Sequence, residues 1–126
     1  MKAAFSVWND RIAPVFDVAQ RLHLVEVAAE RRISAAQIIL MDVDPSTNPA
    51  LRVVALDVTI LVCGAISRPL HHQLMHSGIR VIPFVAGELR PVIAAWLEGR
   101  LNAKWFAMPG CRKRQKGHLW EQAIHD

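Results

Sequence analysis

The sequence predicts an α/β fold: a five-stranded mixed sheet with helices on both faces. Three observations carry this. Two short apolar runs without alternation, Val58 to Val62 and Ile79 to Val85, have the character of parallel strands covered on both sides. Segments with helical spacing of apolar residues stand before, between and after them. Three branched or apolar stretches separated by polar turns occupy the first forty residues, as in an antiparallel meander.

Taken in order, Ala3 to Val7 is the first strand, bounded by Asn9, Asp10, Arg11 and Pro14, so that Trp8 to Asp17 forms a long loop. Leu22 to Val27 and Ala36 to Met41 are the next two strands, with Arg31 and Arg32 at the turn, and both are expected to be buried on two faces. Asp44 to Asn48 is a loop whose last residue caps a helix with Pro49 at its first position. Leu51, Val54 and Ala55 share a face, and the helix should end near Asp57. The Val58 to Val62 strand closes at Cys63 and Gly64; Ser67 caps the second helix, Pro69 fits its first turn, Leu70, Leu74 and Met75 give its apolar face, and Ser77 and Gly78 stop it. Ile79 to Val85 is the fifth strand. Glu88 to Glu98 is the third helix, with Val92, Ala95 and Trp96 at helical spacing and Gly99 at its end.

The order βββαβαβα, closed by right-handed crossovers, is that of the three-layer ribonuclease-H-like folds. Ligands on such sheets bind beyond the carboxyl ends of the parallel strands, at the switch point. The first strand and the strand ending at Cys63 are the expected neighbours there. The Trp8 to Asp17 loop, the Cys63 to Ser67 turn and the Pro83 to Gly87 turn are then expected around one crevice.

Composition bounds the rest. The chain has 126 residues, 52% hydrophobic and 21% charged, enough for one packed domain without disulfides. Residues 1 to 99 hold nine basic and nine acidic residues, whereas residues 100 to 126 hold six and two, so the net +4 belongs to the tail. A body of residues 1–103 followed by a basic tail of 104–126 is the expected organisation. A neutral body makes nucleic acid an unfavoured partner. Two cysteines and no apolar stretch long enough for a leader or a span favour a cytoplasmic protein away from membranes.

Chemistry follows from residue types. A nuclease of this fold needs carboxylates on the central strands, where this chain offers Ser6 and Cys63. The Ala65 to Arg68 amides at a helix start can bind an anion, assisted by Arg68 and Arg11, although taken alone this segment reads more simply as a tight turn at Gly64 with Ser67 as a helix cap. Cys63 reads as an apolar filler or a thiolate ligand; Cys111, beside Arg112, Lys113 and Arg114, has the stronger claim to a thiolate. His72 and His76 lie one turn apart, but Gln73 follows where a metalloprotease has glutamate, so a polar helix face is the expected reading. His23 reads as a core or cross-strand residue.

The strings AFSVWNDRIAPVFDVAQRL (residues 4–22), VTILVCGAISRPL (58–70), SGIRVIPFVAGEL (77–89) and FAMPGC (106–111) resemble the dinitrogenase iron-molybdenum cofactor biosynthesis family, whose NifX-like members carry clusters and whose domain ends the NifB-type maturase. The resemblance implies a ribonuclease-H-like fold and a non-enzymatic accessory protein that transiently binds an iron-molybdenum-sulfur cluster or its iron-sulfur precursor. Metallocofactor assembly or recipient proteins are the implied partners. Many nitrogenase-associated members have a His-Phe-Gly triplet in the first loop, where this chain has Val15, Phe16 and Asp17. The expected site comprises Asn9, Arg11, Cys63, Ser67, Arg68 and Cys111, with both cysteines as metal ligands. An alternative is a regulatory or interaction module whose basic tail docks on an acidic partner.

Overall fold

A computed structural model describes residues 1–41 and 47–101. Among them, β1 (Lys2–Trp8), β2 (Arg11–Ile12), β3 (Arg21–Ala28), β4 (Arg32–Leu40), α1 (Pro49–Ala55), β5 (Ile60–Val62), α2 (Arg68–His76), β6 (Arg80–Ile82) and α3 (Leu89–Leu97) follow in chain order. The sheet runs β4-β3-β1-β5-β6, and β2 pairs with the end of β1. The β3 and β4 pairings are antiparallel, while β1, β5 and β6 run parallel, so β1 joins the two halves. The expected neighbours at the switch point are therefore adjacent: Phe5 stands opposite Val62.

The sheet has six strands rather than the expected five. The sixth arises because Trp8 pairs with Arg11 across a two-residue turn. Asn9 and Asp10 have φ of 50° and 61°, the left-handed conformation that the tight hairpin turn requires and that these two residue types tolerate. The long first loop is thus half hairpin.

Alternation along β1 divides the core. Ala3, Phe5 and Val7 pack with Leu89, Val92 and Ala95 of α3, and the Phe5 ring meets Trp96 edge-on with centroids 5.6 Å apart. On the other face Ala4, Leu22, Leu24, Leu61 and Cys63 pack with Ala50 and Val53 of α1, Leu74 of α2 and Phe16. Each helix layer buries an apolar stripe against one side of the same strands.

Three local expectations need correction. The buried face of α1 is Ala50 and Val53, with Leu51 and Val54 exposed. Asn48 sets that rotation: its side-chain oxygen accepts from the Ala50 amide at 2.8 Å while its Nδ2 donates to Gln73 Oε1 on α2 at 3.0 Å. Met75 on α2 points to solvent, and Leu74 supplies the core contact. The third strand is not buried on two faces: β4 is exposed along most of its length, because it is the sheet edge and pairs only with β3 among the described residues.

The three loops expected at the switch point do meet there, and backbone hydrogen bonds tie them. Ala65 donates to Pro14 O at 2.8 Å and accepts from the Phe16 amide at 2.8 Å; Phe84 donates to Gly64 O at 2.9 Å; Ile12 donates to Gly87 O at 2.9 Å. These bonds fix the first loop against the turns that follow β5 and β6.

Candidate functional site

A cleft of about 770 Å³ opens beside this junction, on the α3 side of the sheet. Its floor comes from β3 and β4. Arg21 and His23 alternate with buried Leu22 and Leu24 along β3, so the period of two turns both toward the cleft. His23 stands across from Phe5 on one side and Ile38 on the other. One wall is the β1–β2 hairpin, with Trp8, Asn9, Asp10 and Arg11; beside it stands the start of α3, with its cap Glu88 and then Leu89, Arg90 and Ile93. The hairpin and α3 are held together by a Leu89 amide bond to Asp10 O at 2.9 Å.

The cleft gathers three guanidinium groups, Arg11, Arg21 and Arg90, against the two carboxylates of Asp10 and Glu88. Among the described residues the ion pair is Arg100 with Glu98, away from the cleft. The three arginines thus present donors uncommitted to any carboxylate of the described chain. Trp8 is 57% exposed at the rim, a large aromatic surface with little packing behind it.

His23 has its pKa lowered by burial. Burial disfavours the imidazolium, which leaves a neutral ring with a lone pair available. His71 on α2 is lowered by burial and then by the charge of His72. In both cases the unfolded chain binds the proton more readily than the folded one, so stability rises with pH through the window below the ordinary value of 6.5. Urea midpoints should therefore fall on acidification from about pH 7 to pH 5, and the fall should be shallower in a His23→Gln, His71→Gln variant; an unchanged slope would remove this assignment.

Of the residues expected from sequence, Asn9 and Arg11 lie in the cleft. Ser67 and Arg68 do not. Ser67 is the N-cap of α2, and its amide donates to Asp17 Oδ1 at 3.0 Å, so the chain's own carboxylate takes the position where an external anion was expected. The Ala65 amide is likewise committed to Pro14 O. Cys63 is 0% exposed; burial, and then the negative charge of Asp17, push its thiol pKa up. A metal ligand needs the thiolate, which this environment opposes, so Cys63 takes the filler role. Ser6, its neighbour at the end of β1, is also wholly buried, and its hydroxyl has no hydrogen-bond partner among the described residues. Cys111 lies outside the described residues, as does the proposed boundary at 103.

Sequence reasoning missed Arg21, His23, Arg90 and Trp8 as site residues. The signal for the first two was the alternation Arg21-Leu22-His23-Leu24, which marks one polar and one apolar strand face. No group of three or more histidine, cysteine, aspartate or glutamate side chains able to hold a metal ion occurs among the described residues. The cleft offers cationic and hydrogen-bonding contacts and one imidazole.

The sheet, all three helices and both walls of the cleft fall within residues 1–99, and this span matches the family described as dinitrogenase iron-molybdenum cofactor. The chain belongs to that family. Solved structures share the fold. The protein PH0822 superposes with a TM-score of 0.75 at 16% identity, covering 83% of this chain and 97% of its own. The mj0327 protein of Methanocaldococcus jannaschii gives 0.66 at 20% identity, over 79% and 90% of the two chains. The apo form of the orange protein from Desulfovibrio gigas gives 0.65 at 18% identity, over 79% and 88%. No curated protein matches the sequence. No helix among the described residues is long and apolar enough to cross a membrane. Membership relates the chain to proteins associated with the dinitrogenase iron-molybdenum cofactor.

Proposed function

We propose that the cleft transiently holds an anionic metal-sulfur cluster, the iron-molybdenum-sulfur cofactor or its iron-sulfur precursor, as a non-enzymatic carrier in the cytoplasm. The observation that carries this reading is the convergence of Arg11, Arg21 and Arg90 with His23 in one open cleft of the family domain. Guanidinium groups offer several N–H donors in a fixed fork to sulfide or carboxylate acceptors, and a neutral imidazole can reach iron. About 770 Å³ is within the range of small-ligand sites. One imidazole and a set of arginines hold a cargo less firmly than a cage of thiolates, and a carrier must let go. The order β4-β3-β1-β5-β6 with helices on both faces supports assigning the fold to the ribonuclease-H-like class. Proteins that assemble or receive the cluster are the partners in this scheme.

The test is anaerobic mixing of the full chain with isolated iron-molybdenum-sulfur cluster, then desalting and iron and molybdenum analysis. The wild-type protein should retain cluster, and retention should weaken with added salt. Arg21→Glu with Arg90→Glu should lower affinity about 100-fold or more, as expected for losing two charge-assisted contacts. Equal retention by the variant, or none by the wild type, overturns the reading.

A further inference from the structure

The opposite face of the molecule carries a second group of metal-binding side chains. His72, Met75 and His76 are at i, i+3 and i+4 of α2, the spacing that puts side chains on one helix face. Together they line a hollow of about 310 Å³. Leu74, between them in sequence, is buried in the core layer opposite that of α3, so this hollow and the arginine cleft lie on different sides of the sheet. All three residues are exposed, Met75 at 57%. Their side chains make no hydrogen bond or ion pair with the described residues.

We propose that His72, Met75 and His76 form a surface site for a soft monovalent d¹⁰ cation, copper(I) by preference. Two imidazole nitrogens and a thioether sulfur make a three-coordinate donor set. The thioether is the discriminating member: soft ions accept it, whereas zinc and other borderline divalent ions take the imidazole pair and fill their remaining positions with water. A core role for Met75 is excluded by its exposure, and it lines the hollow together with the two histidines. The helix backbone fixes the spacing of the three ligands, while the flexible methionine side chain adjusts to the metal–sulfur distance. This site is separate from the proposed cluster cleft, since the two share no residue among the described ones.

The experiment is an anaerobic copper(I) titration of the full chain against a chromophoric chelator, in a Cys111→Ser background so that this thiol does not compete. One copper(I) should bind per chain. Met75→Leu should weaken copper(I) about tenfold or more and leave zinc affinity unchanged, because only the soft ion uses the sulfur. His72→Asn with His76→Asn should abolish binding of both ions. These positions are exposed, and circular dichroism of each variant checks that the fold is retained. Silver(I), added to protein labelled at its methionine methyl groups, should shift the Met75 resonance. Copper(I) affinity indifferent to Met75→Leu, or binding that survives loss of both histidines, overturns the site.

Discussion

Gly64→Ala should destabilise the protein by about 3 kcal/mol or more, read from urea denaturation. A Cβ at this position would lie 2.4 Å from Ala13 O, 2.5 Å from Pro14 O and 2.9 Å from Pro14 C. These are backbone atoms, so no rotamer change relieves the overlap. One of them, Pro14 O, accepts from the Ala65 amide, and backbone bonds beside them close the same junction: the Ala13 amide donates to Ser6 O at 2.8 Å, and Phe84 donates to Gly64 O at 2.9 Å. A single methyl group therefore has to part the first loop from the turn after β5, and the bonds on either side are lost with it. Gly78→Ala provides the comparison. Gly78 has φ of +83° and open space around its Cβ position, so its cost is conformational and about 1 kcal/mol. If the two variants lose equal stability, close packing at Gly64 is not what holds these loops.

That junction shows what could and could not be seen in the residues alone. Apolar runs without alternation identified β5 and β6, and the crossover rule then placed β5 beside β1 and brought the three loops together. Asn9 and Arg11 entered the expected site through that topology. What fills the α2 start was not visible, because Asp17 reaches the Ser67 amide from 50 positions away in the chain; a helix start reads as an open anion site until a distant carboxylate is seen to occupy it. The second strand of the hairpin was hidden for a different reason. A two-residue Asn-Asp turn is polar, and polar residues next to a proline read as loop.

Composition misled at β4. The stretch Ile33 to Leu40 contains no charged residue, yet it lies at the edge, and apolar residues at a surface are common enough that content does not establish burial. In β3 the error had the same direction. Branched residues there suggested burial on both faces, whereas Arg21 and His23 mark the open side that became the cleft floor. The face of α1 was set by an asparagine whose side chain serves both its own helix and α2, a tertiary contact that helical periodicity does not encode. Site geometry was thus legible where it followed from strand order and obscure where it depended on single side chains.

Phe16→Ala should cost about 3–5 kcal/mol, the range for removing a buried phenylalanine ring. Phe16 is wholly buried and is the aromatic residue of the core layer that contains Cys63, Leu22, Leu61 and Leu74. It sits in a one-turn 3₁₀ segment, Phe16–Val18, held to the turn after β5 by its amide bond to Ala65 O. The cost rises with whatever part of the vacated volume the neighbouring side chains of this layer do not refill. Against a total stability of about 5–15 kcal/mol, the loss should lower the melting temperature by on the order of 10 °C. A second readout separates this cap from an ordinary core position. In the wild-type protein Cys63 should resist iodoacetamide, since burial raises its thiol pKa and closes access to it. In Phe16→Ala the peptide containing Cys63 should become alkylated under native conditions, followed by mass spectrometry so that Cys111 does not interfere. The same treatment of Leu74→Ala, a deletion in the same layer but on α2, should destabilise comparably and leave Cys63 protected. If both variants expose the thiol equally, reactivity reports global unfolding, and Phe16 has no special place over the end of β5.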